Sequence, residues 1–81
     1  MRVRTTQKFD EMYAAAPREI PRALDRKLVL LIQNLRHPSL RAKKYDEARN
    51  LWQARVTKGW RFYFTIEGDA YVLHTITPHP K

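Results

Sequence analysis

Apolar residues recur with a helical period in the first half of the chain and with a period of two in the second. In 7–16, Phe9, Met12, Tyr13 and Ala16 fall at i, i+3, i+4 and i+7, which places them on one face of a helix. The Thr6 hydroxyl can cap its first turn, and Pro17 stops it. A second helix is predicted over about 19–36, with Pro21 tolerated in its first turn. Ile20, Leu24, Leu28, Leu31 and Leu35 form its stripe, and Val29, Leu30 and Ile32 broaden it. The two helices are expected to form a hairpin with one continuous apolar face. Ahead of them the β-branched run 2–6 reads as a short strand.

The segment 37–50 is a polar connection, partly extended around Leu40–Tyr45. Three alternating runs follow. In 51–57, Trp52, Ala54 and Val56 alternate with Gln53, Arg55 and Thr57; in 60–66, Trp60, Phe62, Phe64 and Ile66 alternate with Arg61, Tyr63 and Thr65. In 70–76, Ala70, Val72, His74 and Ile76 alternate with Tyr71, Leu73 and Thr75. Lys58-Gly59 and Glu67-Gly68-Asp69 are the turns. The architecture is therefore α+β, in the order β-α-α-β-β-β: an antiparallel sheet with an N-terminal helical hairpin packed on one face, in a single domain over 1–81.

Register sorts the faces, because a slip of one residue turns every side chain over. A strict two-residue turn at 58–59 opposes Val56 to Arg61 and mixes the faces. A loop over 57–59 or over 58–60 restores agreement and sets Arg55 opposite Arg61 or opposite Tyr63. A loop over 67–69 pairs Ile66 with Ala70 and Arg61 with Thr75. Trp52, Val56, Phe62, Phe64 and Val72 then face the helices, and Gln53, Arg55, Arg61, Tyr63 and Thr75 form a polar, positive, open face.

Composition narrows what that face touches. Sixteen Lys and Arg against eight Asp and Glu leave a formal charge of +8, which suits a polyanionic partner. There is no cysteine, so no disulfide or thiolate metal site forms, and a cytoplasmic protein is expected. The longest unbroken apolar run is Leu28–Ile32, far short of the ~20 residues that span a bilayer, and no apolar stretch follows the basic start as a signal peptide requires. Asp10, Glu11, Glu19, Asp25, Asp46, Glu47, Glu67 and Asp69 lie in the helical half or at turns, and they assemble no carboxylate set for magnesium. Metal-free chemistry without a cofactor is expected.

Two arginines close together in mid-sheet do not stabilise a fold. They read either as solvated side chains lying on their stems or as an anion site, since guanidiniums grip phosphate bidentately. Lys43 and Lys44 can add charge on the same side, and Tyr63 offers a ring on which a base can stack. His79 lies two residues beyond the expected end of the last strand, between Pro78 and Pro80, where it can act as a proton shuttle over the open face. His74 reads as a satisfied core histidine on the apolar face, and His37 as a helix-end residue.

The run His37-Pro38-Ser39-Leu40-Arg41-Ala42-Lys43-Lys44, then Trp52-Gln53-Ala54-Arg55-Val56 and Trp60-Arg61-Phe62-Tyr63-Phe64, closing with Pro78-His79, resembles the RelE/ParE superfamily of bacterial toxins. The likeness covers nearly the whole chain. It implies the toxin of a type II toxin–antitoxin system, on the RelE-like side a metal-independent endoribonuclease that cuts messenger RNA, generally on the ribosome. Carried onto this chain, it sets Lys43 and Lys44 near the attacking 2′-hydroxyl, Arg55 and Arg61 on the scissile phosphate and His79 as general acid. Arg41, Arg49, Gln53 and Tyr63 are the further RNA-contacting candidates. An acidic antitoxin is the implied partner, and no membrane is. The alternatives are a ParE-like DNA gyrase poison, which needs no such site, and a catalytically weak RNA-binding relative.

Overall fold

The computed structural model describes residues 1–79. In chain order these form β1 (Arg2–Thr5), α1 (Gln7–Ala15), α2 (Glu19–Gln33), a 3₁₀ turn (Pro38–Leu40), β2 (Lys43–Asp46), β3 (Leu51–Thr57), β4 (Trp60–Glu67) and β5 (Ala70–Pro78). The five strands make one sheet in the order β1-β5-β4-β3-β2. The α+β architecture with the helices on one face is as expected, with two differences. The extended part of the 37–50 connection is a fifth strand, antiparallel to β3, and β1 runs parallel to β5, so the sheet is mixed. A parallel pair needs a long crossover between its strands. The rest of the chain, leaving β1 by way of the helices, provides it.

Local chemistry sets the helix ends. Thr6 stands in extended backbone and its Oγ1 accepts the Phe9 N–H at 3.1 Å, capping α1 as predicted. The second helix stops at Gln33, three residues before the expected 36. Asn34 leaves the helix extended and accepts the Arg36 N–H on Oδ1 at 3.0 Å, a local bond that competes with the next helical turn. His37 precedes a proline, which disfavours helical backbone, and its Nδ1 caps the 3₁₀ turn by accepting the Ser39 N–H at 3.1 Å. It ends no α-helix; it begins the next turn.

Phe9, Ile20, Ala23, Leu24, Leu31 and Leu40 pack against Ala54, Val56, Phe62, Phe64, Tyr71, Leu73 and Ile76 of the sheet. The first helix lies over β5 and the second over β3. The α2 stripe is narrower than the sequence implies: Val29 is 55% exposed and Ile32 47%, because a helix lying on a sheet buries an arc and not its whole apolar set.

Bulges settle the register. Ala54 pairs with Phe62 and Arg55 with Arg61, the arrangement of the 57–59 loop; an extra residue at Val56 then lets Thr57 pair with Trp60 across a tight Lys58-Gly59 turn. In β5 the extra residue is His74, since Phe64 pairs with Leu73 but Tyr63 with Thr75. Glu67 also pairs with Ala70, so the turn is Gly68-Asp69 and not 67–69, and turn and bulge together overturn part of the predicted pairing. Ile66 meets Tyr71 in place of Ala70, Arg61 meets Thr77 in place of Thr75, and Tyr71 and Leu73 enter the core. Val72 is buried but pairs with Thr65 on the other face of the sheet.

Leu31→Ala is therefore expected to cost about 2–5 kcal/mol, and Ile32→Ala to stay within about 0.5 kcal/mol of the parent. Urea unfolding of the two variants checks this, and equal losses would show that Ile32 is covered.

Candidate functional site

The pairing of Ala54 with Phe62 inside the fold forces Arg55 and Arg61, paired with each other, to the open face. There the Arg61 guanidinium is held by the turn: Nη1 donates to the carbonyls of Thr57 at 2.8 Å, Lys58 at 3.1 Å and Trp60 at 2.9 Å. These dipoles offset the repulsion from Arg55. Burial lowers the Arg61 pKa, the charges of Arg55 and Arg41 lower it further, and Tyr63 opposes the shift. A guanidinium nevertheless remains charged at any working pH. Arg55 keeps a buried Nε with no hydrogen-bond partner among the described residues, a donor aimed at no protein acceptor.

Arg41 enters from the 3₁₀ turn. It sits in the left-handed region (φ 47°, ψ 42°), with its N–H on the Pro38 carbonyl at 3.3 Å. Such backbone costs roughly 1–2 kcal/mol for a side chain other than glycine. Lys27 fastens this turn to α2, its Nζ donating to Ser39 O at 3.0 Å and Oγ at 2.6 Å. Burial first, then the charges of Arg55 and Arg26, lower its pKa. Lys43 pairs with Gln53 and so shares the open face.

Lys44 does not. It pairs with Trp52, on the side of the sheet that carries the helices, with its ammonium 5.3 Å from the indole centroid and bonded to Asn50 Oδ1 at 2.7 Å. Neighbours on a strand point to opposite faces, so Lys43 and Lys44 cannot serve one site.

The last strand extends to Pro78, which pairs with Trp60, and the His79 N–H donates to the Gly59 carbonyl at 2.8 Å. His79 therefore follows the strand directly and is pinned to the β3–β4 turn. Together Arg41, Lys43, Gln53, Arg55, Arg61 and His79 line an open depression of about 300 Å³. Its lining holds no carboxylate. Among the described residues no three His, Cys, Asp or Glu side chains converge to hold a metal ion.

Tyr63 stands beside the depression, its hydroxyl accepting from Gln53 Nε2 at 2.9 Å and its ring meeting the exposed Tyr45 edge-on at 5.0 Å. Tyr45 was not singled out in the sequence; the β2–β3 pairing sets it on this face. Arg49 lies outside the depression, its Nε 3.5 Å from Asp46. His74 is no core residue: the bulge turns it to the open side, where its Nε2 lies 2.9 Å from Thr65 Oγ1. No helix of the described residues is long and apolar enough to cross a membrane.

A cluster of unneutralised like charges should be stabilised by an anion that screens it. With free phosphate at tenfold its Kd, the folded state should gain about 1.4 kcal/mol. Melting curves in phosphate and in chloride at equal ionic strength check this. Arg55→Gln should lose the increment while melting in chloride no lower than the parent.

No protein-family model matches the chain, nor does any curated protein sequence. Solved structures do. The YoeB/ParE toxin from Agrobacterium tumefaciens superposes with a TM-score of 0.81 at 12% identity, over 99% of this chain and 100% of that one. YafQ from E. coli gives 0.79 at 15% identity, over 98% and 94%. In the RelB–RelE antitoxin–toxin complex from Methanococcus jannaschii, the matched chain gives 0.76 at 14% identity, over 93% and 88%. The chain has the fold of the RelE/ParE toxin superfamily.

Proposed function

We propose that this protein is the toxin of a type II toxin–antitoxin pair and a metal-independent endoribonuclease that cuts messenger RNA on the ribosome, in the cytoplasm. The convergence of Arg41, Lys43, Arg55, Arg61 and His79 in one carboxylate-free depression carries this reading. The RNA 2′-hydroxyl attacks the adjacent phosphorus, the P–O5′ bond breaks, and a 2′,3′-cyclic phosphate and a 5′-hydroxyl result. Negative charge builds on the non-bridging oxygens, where Arg55 and Arg61 donate; preorganised donors of this kind contribute about 10²–10³-fold each. Arg61 is preorganised by the three turn carbonyls that fix one edge of its guanidinium. Lys43 stands by the attacking hydroxyl and stabilises the oxyanion as its proton passes to water, and His79 gives a proton to the leaving 5′-oxygen. DNA lacks the 2′-hydroxyl and is left uncut.

The net charge of +8 suits an acidic antitoxin that covers the basic depression. The YafQ and RelE neighbours were solved with the antitoxins DinJ and RelB.

The test is expression of the parent, Arg61→Ala and Arg55→Ala in growing bacteria, with primer-extension mapping of messages. Arg55 is included because Arg61 also holds the turn, and melting temperatures separate the two effects. New cuts should appear with the parent and fall about 10²–10³-fold with either variant that stays folded. Growth arrest with intact messages would point to gyrase, and no arrest to an RNA-binding relative.

His79→Ala should slow cleavage by about 10²–10⁴-fold. A message whose scissile 5′-oxygen is replaced by sulfur, a leaving group that needs no proton, should recover most of that loss. Equal slowing of both messages would remove His79 from the acid role.

A further inference from the structure

A second depression on the open face, of about 320 Å³, lies on the far side of Tyr63 and is lined by Arg49, Leu51, Thr65, His74 and Thr75. Its chemistry differs from the first: an apolar wall, a hydroxyl pair, one guanidinium and an imidazole. The imidazole belongs to a chain of hydrogen bonds. Thr65 Oγ1 donates to Glu67 Oε2 at 2.7 Å and stands 2.9 Å from His74 Nε2. A hydroxyl has one proton to give. With that proton on Glu67, the Thr65 oxygen must accept from His74, so Nε2 carries the hydrogen. In the neutral ring Nδ1 is then an acceptor, and it has no protein hydrogen-bond partner among the described residues.

We infer that this depression is a nucleobase subsite that reads the base of a nucleotide neighbouring the scissile phosphate and favours bases bearing an exocyclic amino group over uracil. The inference rests on the ribonuclease reading above. Thr65 lies four positions beyond Arg61 on β4, about 13 Å along a strand, a span an extended RNA strand crosses to a neighbouring nucleotide. Tyr63 lies between, a ring for the strand to pass over. The amino group donates to His74 Nδ1, while Leu51 packs on the base and Arg49 supplies donors at the rim. Uracil has no amino group to offer, and its one imino N–H lies between two carbonyl oxygens that an acceptor at Nδ1 repels. Glu67 acts through Thr65: it fixes which ring nitrogen of His74 bears hydrogen, and so which bases the pocket accepts.

Two measurements test this together. Cut sites in cells expressing the parent, Thr65→Val, His74→Leu and Glu67→Leu are mapped by sequencing. Separately, NMR of the His74 and Thr65 resonances follows titration with adenosine, cytidine and uridine monophosphates. The parent should disfavour uracil at one position beside the cut, and each variant should reduce that bias at least fivefold, while Arg55-dependent cleavage persists. Unchanged bias in all three variants would overturn the subsite. A parent that cuts no RNA would overturn the ribonuclease reading instead, and the titration then decides. Shifts at His74 and Thr65 that are larger with adenosine and cytidine than with uridine support the subsite, and shifts that are absent or independent of the base overturn it.

Discussion

Two phenylalanines of β4 govern the geometry of everything on the other side of the sheet. Phe62 and Phe64 are fully buried between the helices and their neighbouring strands, and their rings stack at 5.6 Å. Because strand side chains alternate, burying this pair leaves Arg61, Tyr63 and Thr65 no choice of face. The neighbouring strands inherit the constraint through their pairing, Arg55 and Gln53 from β3 and Thr75 and Thr77 from β5. The core thus places the polar row without contacting it. It also makes the site rigid, since moving Arg61 by one position along the strand requires exposing Phe62.

The same placement works against stability in ways the fold must offset. Arg55 faces Arg61 directly, Arg41 holds left-handed backbone, and a guanidinium nitrogen of Arg55 is buried without a partner among the described residues. Each departs from what packing alone selects, and all three border one depression. Such departures persist where the surroundings over-determine them, and they gather at functional sites. Here the turn carbonyls around Arg61 and the Lys27–Ser39 bonds that brace the 3₁₀ turn provide that surplus. A phosphate there would answer two of the three, accepting from the unpartnered Arg55 Nε and screening the repulsion between Arg55 and Arg61.

Alternation and helical period made much of this legible. The α1 cap at Thr6, the buried faces of β3 and β4 and the placing of Arg55 and Arg61 on the open face were readable there, while the choice of Arg61 over Tyr63 as the partner of Arg55 was left to the bulge at Val56. What escaped were the places where one residue breaks the period. His74 is an extra residue in β5, so the face assignment before it inverts; no local propensity marks a bulge there, and only the competing burial of Leu73 and Ile76 decides it. Lys44 was lost to the site because the 37–50 segment was too polar to reveal itself as a strand, and without a strand the opposite directions of Lys43 and Lys44 were invisible. Asn34 shortened α2 through a side-chain bond that an apolar-stripe count does not register. His79 came into the site through a backbone bond to Gly59, a contact between segments that no periodicity encodes.

Structural neighbours at 12–15% identity with TM-scores near 0.8 follow from this division of labour between faces. The core asks only for apolar side chains of about the right volume at alternating positions, a demand many unrelated sequences meet. The open face is under no packing constraint, so its residues can change freely unless chemistry holds them. Shared fold is therefore informative about where a site lies and silent about what it does. In this chain the information about chemistry resides in the residues the core does not need: two opposed arginines, a strained third, a lysine from the edge strand and a histidine pinned at the end of the last one. Their convergence from five separate segments is not required by any packing argument. An acid-free cluster of fixed cations beside a titratable ring matches what phosphodiester cleavage demands, charge stabilisation that needs no rearrangement and a proton for the leaving oxygen.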